Sequence, residues 1–262
     1  MSTIVRFGDE TSRRVEAIYR TPDIVATRLA VLAALHLRPN ERVIDLGSGP
    51  GLLTYDIAAT VGSGGMVAGV DLSDSMLEMS RERCAERAWV EFHHADVARL
   101  PFADGSFDAA AATQVYSYVA DLDSALAELH RILRPGGRAA ILDTDFASLV
   151  WHCSEPERMG RVRAAYDRHC AHPNLPSLLI PRLRANGLEA TATKVVPIVN
   201  TDCHANTYSH GLIDFIRAFV IGQSLMDDEE LDAWARDLRG LSDAGAYFFS
   251  LNRYLFVARK PG

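Results

Sequence analysis

Short apolar runs punctuate the first half of the chain, and the stretches between them carry apolar residues at helical spacing. Thr21-Pro22-Asp23 has the composition of a helix start, with a capping hydroxyl, a proline at the first helical position and an acid facing the positive dipole end. Ile24, Leu29, Leu32 and Leu35 follow along one helix. "RVIDL" (42–46) is too short for a helix and predicts a strand buried on both faces. "LLTYDIAATV" predicts a helix, "GSGG" a turn and "MVAGVD" a second buried strand. Ser73 is placed to cap a helix through about Arg87, "WVEFHH" predicts a third strand and "FDAAAATQ" a fourth. Leu122, Ala125, Leu126, Leu129 and Leu133 share a helical face that "RPGG" ends, and "RAAILD" predicts a fifth strand. Strands alternating with helices through short connections imply an α/β fold, a parallel sheet with helices on both faces.

Beyond Asp145 the pattern changes. Ser154-x-x-Glu157 reads as a capping box opening a helix to about Cys170, and a second helix runs to Asn186-Gly187. "LEATATKVVPIV" alternates as a strand, and 200–240 is largely helical with Asp227-x-x-Glu230 as a start signal. "AYFFSLNRYLFVARK" closes the chain as an aromatic-rich strand. Residues 1–262 are expected to form one domain, with 147–175 and 200–240 as a helical insertion covering the sheet's carboxyl edge.

Charge and composition narrow the functional classes. With 27 Lys and Arg against 34 Asp and Glu, and no basic stripe, a nucleic-acid partner is not expected. No apolar run approaches the roughly 20 residues of a membrane span, and the N-terminal stretch with Arg6, Asp9, Glu10, Arg13 and Arg14 lacks a signal-peptide core. A soluble cytoplasmic protein is the expectation. Cys84, Cys153, Cys170 and Cys203 form no C-x-x-C, so free thiols are expected rather than a disulfide framework or zinc knuckle.

The chemistry concentrates at "VIDLGSGPG" (43–51). Glycines at a strand end let the backbone turn sharply and approach a ligand, while the next helix presents free N–H groups. The dinucleotide fingerprint G-x-G-x-x-G would put its last glycine at Leu52, whereas the spacing here is G-x-G-x-G. Asp45 before the loop would repel a pyrophosphate and suit an amine. Asp71, at the end of the second strand, is placed to accept from ribose hydroxyls. A cationic nucleoside therefore fits better than NAD.

At this point the chain resembles the class I S-adenosyl-L-methionine (SAM)-dependent methyltransferases, in the branch of the ubiquinone/menaquinone biosynthesis methyltransferases. "VIDLGSGPG", "VAGVDLSDSML", "HADVARLPFADGSFDAA" and "ALAELHRILRPGGRAAI" are similar to its motifs in order and spacing, over about residues 20–145, the expected SAM-binding core. The resemblance implies a Rossmann-like seven-stranded, mostly parallel sheet with an antiparallel last strand. It implies that Asp45 and the backbone of Gly47, Ser48 and Gly49 hold the methionine amino group and the sulfonium side of SAM. Asp71, with Leu72 beside it, would take the ribose, and Met76 would pack on the adenine. Asp96, with Val97, would meet the adenine amine, Thr113 and Gln114 would lie beside the methionine portion, and Tyr19 and Arg20 would close over the cofactor.

The family supplies no universal catalytic residue, because the SAM sulfonium is already electrophilic and alignment does much of the work. Tyr116, Ser117, Tyr118, Asp143, Asp145, Trp151, His152, His204 and His210 flank the expected mouth. Of these, His152 is the candidate general base. Tyr116, Tyr118, Asp145, Trp151 and His210 are candidate substrate contacts. Asp143 and Asp145 find no third ligand for Mg2+, so no metal is expected. The expected function is methyl transfer to oxygen, nitrogen or carbon of a small organic acceptor. The alternatives are a non-catalytic SAM-fold binding protein and, less favoured, an arsenite or macromolecular methyltransferase. The cysteine spacings match no arsenite pattern, and no Asn-Pro-Pro-Tyr is present. A homodimer is the assembly considered should the insertion face away from the cofactor.

Overall fold

The computed structural model describes residues 9–262, with side chains from Ser12 onward. Arg6 and the side chains of Asp9 and Glu10, counted above among the N-terminal charges, lie outside the described residues. The elements are α1 (Asp9–Tyr19), α2 (Pro22–Leu35), β1 (Arg42–Leu46), α3 (Leu52–Val61), β2 (Met66–Asp71), α4 (Asp74–Arg83), β3 (Val90–His94), β4 (Phe107–Thr113), α5 (Leu122–Ile132) and β5 (Leu133–Trp151). They continue with α6 (Pro156–Tyr166), α7 (Pro176–Ala185), β6 (Glu189–Asn200), α8 (Tyr208–Gly222), α9 (Asp228–Asp243) and β7 (Phe249–Arg259). Two short 3-10 turns, Tyr116–Tyr118 and Asp167–His169, interrupt the loops.

The strands form one sheet in the order β3-β2-β1-β4-β5-β7-β6. β1 to β5 run parallel, and β7 runs antiparallel between β5 and β6. The order reverses between β1 and β4, which is where an open α/β sheet leaves a crevice beyond its strand ends.

The pleat sorts the strand residues to two faces. Ile44, Leu46, Ala110, Ala112, Ile141 and Phe256 pack against α5 and α7. Val43, Ala109, Ala111, Leu142 and Leu255 pack against α2 and α3. β1, β2 and β4 are buried on both faces, which is why they read as continuous apolar runs. β6 lies at the edge, largely exposed, and carries Lys194 and Pro197, residues that discourage pairing with another sheet.

A separate core lies around the carboxyl end of β5. Phe146, Leu149, Trp151, Val162, Tyr166, Leu212, Ile216, Leu231, Trp234, Leu238 and Phe249 form a cluster joining β5 and β7 to α6, α8 and α9. A bulge between Asp145 and Val150 carries the β5–β7 pair into this cluster. α8 lies so close to α1 that a Cβ on Gly211 would come 2.4 Å from Ile18 Cγ1. α7 belongs instead to the sheet face, through Leu179 and Leu183.

Several local expectations are corrected. Thr21 occupies the cap position of α2, but its hydroxyl donates to the Ile18 carbonyl at 2.7 Å and so finishes α1 instead. The cap of α6 is Glu155 without a side-chain bond, because the Ser154 amide is taken by Asp237 Oδ2 at 2.9 Å. α4 stops at Arg83 rather than Arg87, and α6 at Tyr166 rather than Cys170. β5 begins at Leu133, so "RPGG" forms a strand irregularity opposite β4 rather than a separating turn.

Candidate active site

The loop Gly47-Ser48-Gly49-Pro50-Gly51 joins β1 to α3 and is fastened on two sides. Gly47 has φ +63, and a Cβ there would lie 2.4 Å from Val115 Cγ2. Gly51 has φ +76, and its Cβ would lie 2.9 Å from the Ser80 Cα, backbone that cannot swing aside. The Ser48 amide donates to the Val70 carbonyl at 2.9 Å and the Gly49 amide to Asp71 Oδ2 at 2.9 Å. From α4, Ser80 Oγ donates to the Gly49 carbonyl at 2.6 Å and Arg83 Nε to the Pro50 carbonyl at 2.7 Å.

Asp71 is the hub of this corner. Its Oδ1 accepts from the Ser73 amide at 2.9 Å, so the carboxylate ties the loop to the first turn of α4. Each oxygen retains lone-pair capacity for a further donor. Burial pushes its pKa up. Asp45 sits deeper, 2% exposed, because the β1 pleat turns it toward α3, where Thr54 Oγ1 donates to it at 2.6 Å. Burial pushes it up to about 7, against the Thr54 bond and with the Asp71 charge adding. Met76 is buried in α4, whereas Leu72 is 53% exposed. Asp96 is exposed and accepts from the Ala98 amide at 2.9 Å, with Val97 buried next to it. The Tyr19 ring stands over the loop, since a Cβ on Gly49 would lie 3.9 Å from its Cε2. Burial pushes that phenol up to about 12. Arg20, by contrast, is exposed and paired with Glu16 at 2.8 Å.

Across the crevice, Gln114 follows β4 in the left-handed region at φ 57, a strained setting for a side-chain-bearing residue. Its amide donates to the Leu142 carbonyl at 2.7 Å, and its Oε1 accepts from Thr144 Oγ1 and from Arg253 Nη2, the latter at 3.2 Å. Tyr116 is fully buried among the α5 residues, and Ser117 Oγ donates to Asp143, which burial pushes up to about 6. Tyr118 is half-buried, its ring edge-on to His169 at 5.8 Å.

The substrate candidates scatter more widely. Trp151 packs inside the helical core at 5.5 Å from Trp234 and 4.8 Å from Phe249, donating to Tyr247 OH at 3.0 Å. The next residue, His152, is exposed. Asp145 accepts from the Ala147 amide at 3.1 Å, and His210 is half-buried on α8. Among the described residues no group of three or more His, Cys, Asp or Glu is placed to hold a metal, and no helix is long and apolar enough to cross a membrane. Arg253, Thr144, Ser80 and Tyr208 escaped sequence reasoning. Arg253 left one signal, a cation between Leu251 and Leu255 on the buried face of an alternating strand.

Ser48 Oγ, Thr113 Oγ1, Gln114 Nε2, Tyr116 OH, Asp143 Oδ2 and Arg253 Nε are buried without a protein hydrogen-bond partner. Buried polar atoms are nearly always satisfied, so the orphans at the ends of β1 and β4, Ser48 Oγ, Thr113 Oγ1 and Gln114 Nε2, fit a polar ligand. With the open cradle at Gly49 and the two acids, these residues fit SAM.

Comparison with known proteins agrees with that geometry. The methyltransferase domain family matches residues 44–141, from β1 into β5. A demethylmenaquinone methyltransferase of Clavibacter sepedonicus is 32% identical over 209 residues, covering 80% of this chain and 69% of the relative. An uncharacterized 37.1 kDa protein of a Streptomyces fradiae transposon is 38% identical over 237 residues, covering 87% of this chain and 65% of that protein. Other curated relatives are matched over about half their length. In fold, a crystal structure of a putative methyltransferase from Bacillus halodurans superposes with a TM-score of 0.63 at 17% identity, over 90% of this chain and 100% of that one. The glycine loop, the acid ending β2 and the single antiparallel strand thus carry one conclusion: the chain belongs to the class I SAM-dependent methyltransferases, similar to the ubiquinone/menaquinone biosynthesis branch, and its cofactor is SAM.

Proposed function

We propose that this protein transfers a methyl group to a small, partly hydrophobic organic acceptor held between the cofactor edge and helices α6, α8 and α9. The observation that carries this reading is that Tyr19, whose ring stands over Gly49, packs with Tyr118 and Tyr208 against the helical core, so that phenols run from the glycine loop to the insertion. Aromatic walls with a few polar groups are what organic ligand sites present. The Clavibacter relative's name points to a quinol-like aromatic acceptor, and a net charge of −7 is unfavourable for nucleic acid.

Bound SAM supplies a methyl group on a positively charged sulfur. The chain's own part is to orient and to exclude water. In this reading Gly47, Ser48 and Gly49 hold the methionine end, and Asp45 faces its amino group. Asp71 takes the ribose, Met76 and Asp96 frame the adenine, and Thr113 and Gln114 lie beside the methionine chain. His152, turned to solvent, is not assigned a proton-transfer role. Incubation with SAM and a panel of phenols, hydroquinones and amines should yield S-adenosylhomocysteine (SAH) with at least one acceptor. SAH binding without turnover on any of them would favour the non-catalytic alternative.

Asp45 gives a pH signature. Its folded-state pKa of about 7 lies above the ordinary carboxylate value near 4, so the folded chain retains a proton that the unfolded chain releases. That carboxyl's contribution to stability therefore falls as pH rises from about 4 to about 7 and is level above. A cationic amine beside it reverses the shift. SAH binding at pH 6 is expected to expel close to one proton, read as a dependence of calorimetric enthalpy on buffer ionisation heat. The release should vanish near pH 8.5 and in Asp45→Asn. Buffer-independent heat at pH 6 would separate Asp45 from the amine.

A further inference from the structure

Arg253 is the least expected group in the sheet. It lies in the middle of β7 and is 4% exposed, yet among the described residues it makes no ion pair. Its single hydrogen bond goes to Gln114 Oε1 at 3.2 Å, and its Nε has no protein partner. A buried guanidinium with no carboxylate in contact is costly, because the charge has left water and the nearby acid, Asp143, acts on it only at a distance.

The strand register explains why no carboxylate contacts it. Arg253 pairs with Thr144, and Asp143 pairs with Tyr254. Paired residues share a face and successive residues alternate, so the guanidinium and the Asp143 carboxylate go to opposite sides of the sheet. On its own side Asp143 is engaged by Ser117. Tyr208, Tyr19, Asp143 and Tyr118 lie within electrostatic reach of Arg253, but only Gln114 Oε1 is within hydrogen-bonding distance of the guanidinium.

Gln114 makes this polar cluster one-sided. Its Oε1 is used twice, by Thr144 and by Arg253, which turns its Nε2 into a second buried donor without a partner. The bonds from Thr144 and Arg253 to its Oε1 fix the side-chain amide, and the backbone amide of Gln114, at φ 57, is tied to the Leu142 carbonyl at 2.7 Å. Two adjacent groups with donors to spare, one of them cationic, call for an acceptor-only, negatively charged partner.

We infer that Arg253 and Gln114 form a binding site for an anionic oxygen group of the methyl acceptor, a carboxylate or an ionised phenol on an aromatic body. This inference rests on the proposed reading that the acceptor occupies this edge. The chemistry has a second source, the carboxylate of the cofactor's methionine. Position argues for the acceptor. Tyr118 and Tyr208, within electrostatic reach of the guanidinium, pack against the helical core, so Arg253 faces the insertion, while Gln114, at the end of β4, stands between it and the cofactor edge.

The test uses benzoate and its neutral isostere benzamide as probes, titrated into the full-length protein saturated with SAH. SAH affinity is measured separately by calorimetry on each variant. The wild-type chain is expected to bind benzoate at least about tenfold more tightly than benzamide. Arg253→Met should bring that ratio to within about twofold while SAH affinity stays within about threefold. Arg253→Lys should keep part of the preference. Gln114→Glu, which replaces the second donor by a repelling carboxylate, tests the same site should Arg253→Met fail to fold, and should also abolish the preference. No preference for benzoate in the wild-type chain, or equal loss for both probes in the variants, overturns the inference. A fall of tenfold or more in SAH affinity with the benzoate preference intact assigns Arg253 to the cofactor's carboxylate and likewise overturns it. Failure of the wild-type protein to bind SAH at all strikes the methyltransferase reading instead, and benzoate discrimination by the unliganded protein remains readable.

Discussion

Replacing Asp71 by alanine is expected to weaken SAH binding by on the order of 10- to 100-fold, equivalent to about 1.4 to 2.7 kcal/mol. The carboxylate holds the Gly49 amide at 2.9 Å and the Ser73 amide at 2.9 Å, so its removal frees the loop and the start of α4 together. It also removes the group proposed to accept from the ribose. The sheet should survive, because Asp71 ends β2 and the apolar residues before it carry the packing. Asp71→Asn keeps one carbonyl acceptor and should fall between the two. Calorimetric titration decides the matter. Unchanged SAH affinity in a folded Asp71→Ala protein would remove Asp71 from the cofactor site.

Trp234→Ala is expected to destabilise the protein by about 3 to 5 kcal/mol, the range for truncating a large buried aromatic. Trp234 is fully buried in α9, packs edge-on to Trp151 at 5.5 Å and donates to Met159 Sδ at 3.3 Å. It therefore joins α9, α6 and the end of β5 in the core around that strand end. Urea denaturation should show the lost stability. Hydrogen exchange should locate faster opening in α6, α8 and α9, while β1, β2 and β4 stay protected. A loss below about 1 kcal/mol would mean that this cluster collapses around the gap and is not a packed unit.

These two residues also mark the line between what was and was not legible in the chain. Asp71 could be found from the sequence because its role depends on local order: a buried strand, an acid at its end, a capping serine two residues on. The five parallel strands, the G-x-G-x-G loop and the antiparallel closing strand were readable for the same reason. Each is specified by short-range periodicity or by a backbone conformation that few residues tolerate. Capping was less legible. Ser154 and Glu157 have the right spacing for a box, but Asp237, more than 80 positions away, takes the Ser154 amide.

The sequence by itself determined the order of strands and helices, the fold class, and the glycine-loop corner from Asp45 to Asp71 that is proposed to hold the cofactor. Those follow from neighbours within a few residues and from steric limits on the backbone. Only the tertiary structure decided which polar side chains the crevice collects. Trp151, the last residue of β5, and His152 adjoin in the chain, yet the first packs in the helical core and the second is exposed. Gln114 and Arg253 are separated by 139 positions, and the antiparallel insertion of β7 beside β5 brings them to 3.2 Å. A one-residue change in that register would have turned the guanidinium to the opposite face, because side chains alternate with period two. Long-range register, which no local pattern encodes, made a lone arginine on an aromatic strand part of the site.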